Sequence, residues 1–274
     1  AFLGLEERPS TPAALERPFG LAARPGGPIV ADPDGRRVLA LTWPGGAASE
    51  VACAGRRFAE PLAVATGPDG ALYVADAGAG VLVRVDSVGA CRALGAGVLV
   101  RPTGVAAMGG RLWVVDPPAH AVVALTPDGR EVSRFGARGD RGPGLNFPTA
   151  LCATAQGTLL VVDALNFRVA EFAPDGTFLG AFGEPGEGGG AFGRPKAIAV
   201  DEKGRIYVTD ALNDVVVVFS RERRFEFAIG GDGAGAGELT LPAGVAVAGS
   251  RLYVADSYNR RIAVYDLLAT EGPP

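Results

Sequence analysis

The residues of this sequence best placed for chemistry are six aspartates that recur along the whole chain. Each closes a short apolar run, and successive aspartates are about 45 residues apart, a period typical of repeat architectures. They are Asp32, Asp76, Asp116, Asp163, Asp210 and Asp256. Converging carboxylates could bind a divalent cation or transfer protons. One carboxylate per repeat around a ring would instead keep them apart, so we expect each to cap backbone N–H groups of its loop.

The elements that carry these aspartates are short strands joined by tight turns. In the fourth unit, strands are predicted at residues 149–153, 158–163, 168–172 and 177–182. The turn before the last strand, Pro174-Asp175-Gly176, combines a fixed φ with residues that tolerate turn conformations. A proline precedes the first strand in all six units, at Pro18, Pro61, Pro102, Pro148, Pro195 and Pro242. We call these the framing prolines. Six such units predict an all-β, six-bladed β-propeller of four-stranded antiparallel blades, with residues 1–274 as one domain.

The two ends of the chain predict how the ring closes. The last unit ends after its third strand, at 261–265, and residues 266–274 form a tail that lacks a fourth strand. Residues 2–5 resemble the fourth strand of the fourth unit. We therefore expect residues 1–8 to supply the outer strand of the last blade, which would remove an exposed sheet edge.

Several strings in these units resemble NHL repeats, notably Phe192-Gly193-Arg194-Pro195 and the stretches 206–210 and 256–265. The resemblance covers all six units and is greatest in units four to six. It implies a propeller that serves as a binding platform for proteins, peptides or RNA, often outside the cytoplasm. A minority of the family are enzymes, such as the peptide-amidating lyase with its histidine-bound zinc.

Strand direction places the candidate binding surface. The loops that follow the six aspartates and those that lead to the framing prolines should share one end of the ring, which we call the long-loop face. The position four after each aspartate varies, so the scaffold leaves it free to specify a partner. The candidate binding residues on this face are His120, Phe167, Arg168, Asp214, Tyr258 and Arg260, with Lys196 at the channel.

The mouth of the central channel offers little for catalysis. The residues after the framing prolines should form a ring there: Phe19, Leu62, Thr103, Thr149, Lys196 and Ala243. This ring has no carboxylate, Asn or His that could bind a metal. His120 is the only histidine of the chain and cannot build a histidine-rich zinc site. We therefore predict no catalytic residue, metal or cofactor, and a non-catalytic scaffold that binds a protein or peptide within a larger assembly. The alternative is a metal-dependent lyase or hydrolase with its site in the channel.

Composition narrows the range of partners and compartments. The net charge is −4 and only two of the 26 basic residues are lysines, which argues against nucleic acid. No apolar run is long enough to span a membrane. The chain starts at Ala1 without methionine, which suggests a removed signal peptide or a trimmed chain. We expect a periplasmic or extracellular location, with the cytoplasm as the alternative.

The three cysteines are expected to be free thiols. Cys53 and Cys91 are assigned to the outer strands of neighbouring units, where radial blades diverge beyond the roughly 7 Å reach of a disulfide. Cys152 lies in an apolar run and is expected in the core.

Overall fold

The computed structural model describes residues 15–267, which form a closed ring of six antiparallel sheets. In each sheet the strands are ordered as in the sequence. Five sheets have four strands, and the sixth has three within residues 15–267. The six-bladed propeller is thus confirmed. The outer strand predicted at residues 1–8 and the end of the C-terminal tail lie outside the described residues. No helix within the described range is long and apolar enough to cross a membrane.

The blades follow one another along the chain, and their strands run from the channel outwards. Blade 1 comprises β1 (Leu21–Arg24), β2 (Gly27–Asp32), β3 (Arg37–Leu41) and β4 (Ala48–Glu50). Blade 2 comprises β5 (Pro61–Thr66), β6 (Leu72–Asp76), β7 (Val81–Val85) and β8 (Cys91–Leu94). Blade 3 comprises β9 (Gly104–Met108), β10 (Arg111–Asp116), β11 (Ala121–Leu125) and β12 (Glu131–Phe135).

The second half of the ring repeats this arrangement. Blade 4 comprises β13 (Pro148–Ala153), β14 (Leu159–Asp163), β15 (Arg168–Phe172) and β16 (Phe178–Phe182). Blade 5 comprises β17 (Pro195–Val200), β18 (Ile206–Asp210), β19 (Val215–Phe219) and β20 (Phe225–Gly230). Blade 6 comprises β21 (Pro242–Ala248), β22 (Arg251–Asp256) and β23 (Arg261–Asp266). Single 3₁₀ turns follow β10 at Pro117–Ala119 and β14 at Ala164–Asn166.

The hydrophobic core is divided into six clusters, one at each interface between blades. A four-stranded sheet buries its two faces only when a neighbour covers each, so second strands such as β14 are buried throughout. Trp113, 1% exposed, packs between blades 3 and 4 and donates its indole N–H to the Met108 carbonyl. Val30 of blade 1 and Tyr253 of blade 6 share a cluster, so apolar packing closes the ring.

The structure contradicts the prediction of three free cysteines. Cys53 and Cys91 form a disulfide with a Cα–Cα distance of 5.4 Å. The prediction was wrong because it assigned Cys53 to an outer strand, whereas β4 ends at Glu50 and Cys53 lies in the loop that crosses to blade 2. In that loop the Ala54 N–H donates to the Gly89 carbonyl, next to β8. Cys152 is a free, partly buried thiol packed between blades 4 and 5, and desolvation raises its pKa to about 12.

Candidate functional site

The six aspartates stabilise the long-loop face from within. All six are fully buried, and their carboxylates accept hydrogen bonds from backbone N–H groups just before the framing prolines. Asp210 shows this pattern, with Oδ2 2.6 Å from the Gly193 nitrogen and Oδ1 2.7 Å from the Arg194 nitrogen. The capping role is confirmed, but the capped segment lies mainly upstream of each blade's first strand. Asp210 alone among them also caps the loop that follows it, at Leu212 and Asn213.

Arg168, one of the predicted binding residues, braces the loop that leads into its own blade. Its Nε lies 2.8 Å from Asp163 Oδ2, and its side chain is only 12% exposed. Its terminal nitrogen donates to the carbonyls of Gly142 and Gly144 at 3.1 and 2.6 Å. A fully buried carboxylate requires hydrogen-bond donors or a countercharge, because an isolated charge in the interior is costly, and at Asp163 Arg168 supplies the countercharge. The guanidinium of Arg168 is therefore committed to structural contacts.

The variable position four after each aspartate has one fixed property that the sequence reading missed. All six residues there adopt the left-handed backbone conformation, with φ between 52° and 64°. They are Arg36, Gly80, His120, Phe167, Asp214 and Arg260. This conformation favours Gly and is unfavourable for most other residues. The glycine among the six was the only hint of it in the sequence.

The side chains at this position differ in their contacts and in their burial. His120 Nδ1 accepts the Phe147 N–H at 3.1 Å, and Asp214 Oδ1 accepts the Leu241 N–H at 2.7 Å. Burial raises the pKa of Asp214, and the Leu241 N–H acts in the opposite direction. Phe167 is half-buried against the core between blades 4 and 5.

Arg260 and Tyr258 lie exposed on the long-loop face, and Tyr258 is 71% exposed. Exposed apolar side chains follow the same arc of the ring across blades 4 to 6. They are Phe147, Leu165, Leu212 and Leu241, with Tyr258 at the end. We call this set the apolar arc. Leu165, Leu212 and Tyr258 each stand two residues after an aspartate, which is the sequence signal that could have revealed them.

The predicted ring at the channel mouth is found in the structure. All six residues that follow the framing prolines line one cavity of about 330 Å³. A chain of hydroxyl-to-carbonyl bonds orders part of its wall, because Thr103 donates to Thr149 at 2.8 Å and Thr149 donates to Lys196 at 2.9 Å. Phe19 and Phe147 add aromatic surface to the lining. The cavity is thus mainly apolar, with polar groups at a few points, as is typical of ligand sites.

Lys196 is the charged group of this cavity that lies deepest. Burial lowers the pKa of its ammonium group, and the neighbouring cations Arg194 and Arg17 lower it further. Arg101 also lines the cavity, although it is paired with Glu60 at 2.7 Å. Among residues 15–267, no carboxylate side chain lines the cavity. The channel mouth is therefore a positive site in an acidic protein, and an anion bound there would relieve the repulsion among these cations.

Within residues 15–267, no three His, Cys, Asp or Glu side chains are close enough together to hold a metal ion. The buried aspartates are separated by the blades between them, and each is surrounded by N–H donors. The channel lining supplies hydroxyl, carbonyl and ammonium groups instead.

The comparisons with known proteins agree on the fold. The family model DUF5128, described as a six-bladed β-propeller, matches residues 202–271. No curated protein sequence matches the chain. The solved virginiamycin B lyase from Staphylococcus aureus is 14% identical, with a TM-score of 0.69 over 97% of this chain and 100% of that one. A gluconolactonase from Xanthomonas campestris is 19% identical, with a TM-score of 0.68 over 97% and 96% of the two chains.

A propeller in a nidogen/laminin complex is also similar, at 19% identity and a TM-score of 0.60 over 78% of this chain and 80% of that one. At these identities the likeness establishes the fold alone. It nevertheless overturns the expectation of a non-enzyme, because lyases and a gluconolactonase are among the similar structures. The same propeller serves catalysis in some of these proteins and forms part of a protein complex in another.

Proposed function

We propose that the long-loop face binds a protein or peptide partner, and that Lys196 at the channel mouth receives an acidic group of that partner. The observation that carries the proposal is an ammonium group, half-buried among apolar and hydroxyl side chains, in a cavity whose described lining has no carboxylate. A carboxylate would supply the missing countercharge. The resemblance to NHL repeats supports a platform of this kind.

The surface around the cavity suits a polypeptide. The apolar arc offers five large exposed side chains on the same face, which is surface that a polypeptide partner can cover. An acidic side chain or terminal carboxylate could enter the channel mouth while neighbouring apolar residues cover the arc. We infer that such a partner makes this chain part of a larger assembly.

We also propose that the protein works in a periplasmic or extracellular compartment. The disulfide between Cys53 and Cys91 supports this location, because disulfides persist in oxidising environments and are rare in the cytosol.

The binding proposal can be tested with a matched pair of peptides, acetyl-Phe-Glu-amide and acetyl-Phe-Gln-amide, which differ only in the carboxylate. Calorimetric titration should show that the Glu peptide binds at least about tenfold more tightly, since that ratio corresponds to about 1.4 kcal/mol, close to the lower end of what a charge-assisted hydrogen bond contributes. The Lys196→Gln variant should lose this preference.

The only other lysine supplies the control. Lys203 is exposed in the turn after β17, so Lys203→Gln should bind both peptides as the wild type does. Equal binding of the two peptides by the wild type, or an undiminished preference in Lys196→Gln, would contradict the proposal.

A catalytic function at the same cavity is the second candidate. It is favoured by Lys196, whose lowered pKa makes the neutral amine, a base and nucleophile, more accessible than in free lysine. Similar structures act on a streptogramin and, as gluconolactonase, on a lactone. Incubation with gluconolactone and with a streptogramin B, using the wild type and Lys196→Gln, tests this candidate. Turnover that disappears in the variant would support it, and no turnover by either protein would contradict it.

A further inference from the structure

Blade 5 lacks an arginine that blades 4 and 6 use to brace their entry loops. Arg168 begins β15 and Arg261 begins β23, and the corresponding residue at the start of β19 is Val215. The entry loops of the three blades are equivalent, because each is closed by one parallel bridge between residues seven apart. The bridges are Arg138 with Leu145, Pro185 with Phe192 and Asp232 with Leu239.

In blades 4 and 6 the guanidinium occupies a defined place against the loop. Arg168 donates to the Gly144 carbonyl at 2.6 Å, and Arg261 donates to the equivalent Glu238 carbonyl at 2.8 Å. In blade 4 the guanidinium carbon also lies 5.9 Å from the centre of the Phe178 ring, on the outer strand. The place thus combines carbonyl acceptors with an aromatic face, a combination suited to a planar cation.

In blade 5 the same place is a cavity of about 370 Å³. Val215 and Ala191 line it, and Ala191 is the equivalent of Gly144 in the loop. The side chain of Val215 has no hydrogen-bond donor, so no arginine of blade 5 donates to the Ala191 carbonyl as Arg168 and Arg261 do to its counterparts. Phe225, the equivalent of Phe178, also lines the cavity and is 40% exposed.

Two further features favour a cation over an apolar group. Glu187 lines the cavity, and no Lys, Arg or His is among the lining residues. The carboxylate of Asp210 is satisfied without an arginine, because it accepts N–H bonds from Leu212 and Asn213. The loop after Asp210 is therefore held without an arginine, and the place that Arg168 and Arg261 fill in their blades remains open to a group from outside. The exposed Leu212 also lines the cavity.

We propose that this cavity binds an arginine side chain of a partner protein, whose guanidinium takes the place that Arg168 and Arg261 fill in their own blades. The guanidinium donates to the carbonyls of the Gly188–Ala191 loop, lies against Phe225 and faces Glu187. The site is separate from the channel mouth and does not depend on Lys196, so either site can fail without the other.

The test uses the full chain, ¹⁵N-labelled, and N-acetyl-arginine-methylamide as the probe. We expect chemical-shift changes centred on the Gly188–Ala191 loop and Phe225, with saturable binding in the millimolar range. The citrulline analogue, a neutral isostere, should produce no such changes, and the lysine analogue should bind more weakly because its ammonium group is not planar.

Val215→Arg should fill the cavity from within, as in blades 4 and 6, and abolish the probe's effect. Phe225→Ala should weaken probe binding by at least about threefold through loss of the aromatic face. Val132→Ala, which removes a comparably exposed side chain from the outer strand of blade 3, should leave it unchanged. Equal responses to the arginine and citrulline probes would overturn the proposal. So would unchanged binding in folded Val215→Arg or, if that variant does not fold, in Phe225→Ala.

Discussion

The imidazole of His120 accepts a hydrogen bond from the backbone N–H of Phe147, with Nδ1 and N 3.1 Å apart, and so joins blade 3 to blade 4 beside the channel. Asp214 and Leu241 repeat this relationship between blades 5 and 6 at 2.7 Å. Both donors directly precede a framing proline and have positive φ, 56° for Phe147 and 49° for Leu241. The variable side chain of one blade thus holds a strained residue of the next.

This relationship predicts that Asp214 matters for stability through its acceptor atom. Asp214→Ala should lower the free energy of unfolding by about 1–2 kcal/mol, because the Leu241 N–H loses its partner in a strained segment. Asp214→Asn keeps an acceptor and tolerates the left-handed conformation, so it should cost less than about 0.5 kcal/mol. Urea unfolding measures both. Equal losses in the two variants would show that the hydrogen bond contributes nothing.

The repeat alone was sufficient to predict the architecture, because turn residues and apolar strands recur in register in all six units. It also located the channel ring, since one residue per unit has to follow the framing proline into the first strand. The turn residues and apolar runs that define each strand lie close together in the sequence, and here they recur in six units.

The details of the site were harder to predict because they depend on contacts between units. The role of Arg168 follows from the carbonyls of a loop more than twenty residues upstream, and the left-handed conformation at Arg260 leaves no mark on residue type. Cys53 was misplaced because the length of β4 is set by pairing with β3, which composition does not fix. The effect of Arg17 and Arg194 on Lys196 arises only when the ring closes.

Buried and exposed ion pairs should differ sharply in their contribution to stability. Asp163→Ala leaves the guanidinium of Arg168, 12% exposed, without its countercharge and uncaps the Asn146 N–H, so we expect a loss of about 3–5 kcal/mol. Asp69→Ala removes a pair with Arg84 whose side chains are 45% and 33% exposed, and should cost less than about 1 kcal/mol. Chemical denaturation of the two variants compares them directly. Similar losses would mean that the aspartates of the repeat do not stabilise the blades as described.

The disulfide should tie blade 1 to blade 2 in solution. It links residues 38 positions apart, so the double variant Cys53→Ala/Cys91→Ala should be less stable than the oxidised wild type by about 4 kcal/mol. A reductant should lower the melting temperature of the wild type and leave that of the double variant unchanged. Cys152 should react only slowly with thiol reagents in the native protein, because it is partly buried and its pKa is raised to about 12. Two reactive thiols in the native, unreduced protein would contradict the pairing.

The position of Lys196 predicts a conflict between stability and binding. Its pKa is lowered from the usual 10.5, so the folded state releases this proton at a lower pH than the unfolded chain does. Between those two values the unfolded chain binds more protons, and stability must rise with pH there. Lys196→Met, which removes the half-buried charge, should therefore stabilise the protein at neutral pH, and the gain should shrink as the pH approaches 10.5. Lys203→Met, at an exposed turn, should show no such gain. Thermal unfolding from pH 7 to 10.5 measures the effect, and a destabilised Lys196→Met protein at pH 7 would show that the ammonium is already compensated. If Lys196→Met gains stability and also no longer binds the Glu peptide preferentially, Lys196 is retained for binding at a cost in stability.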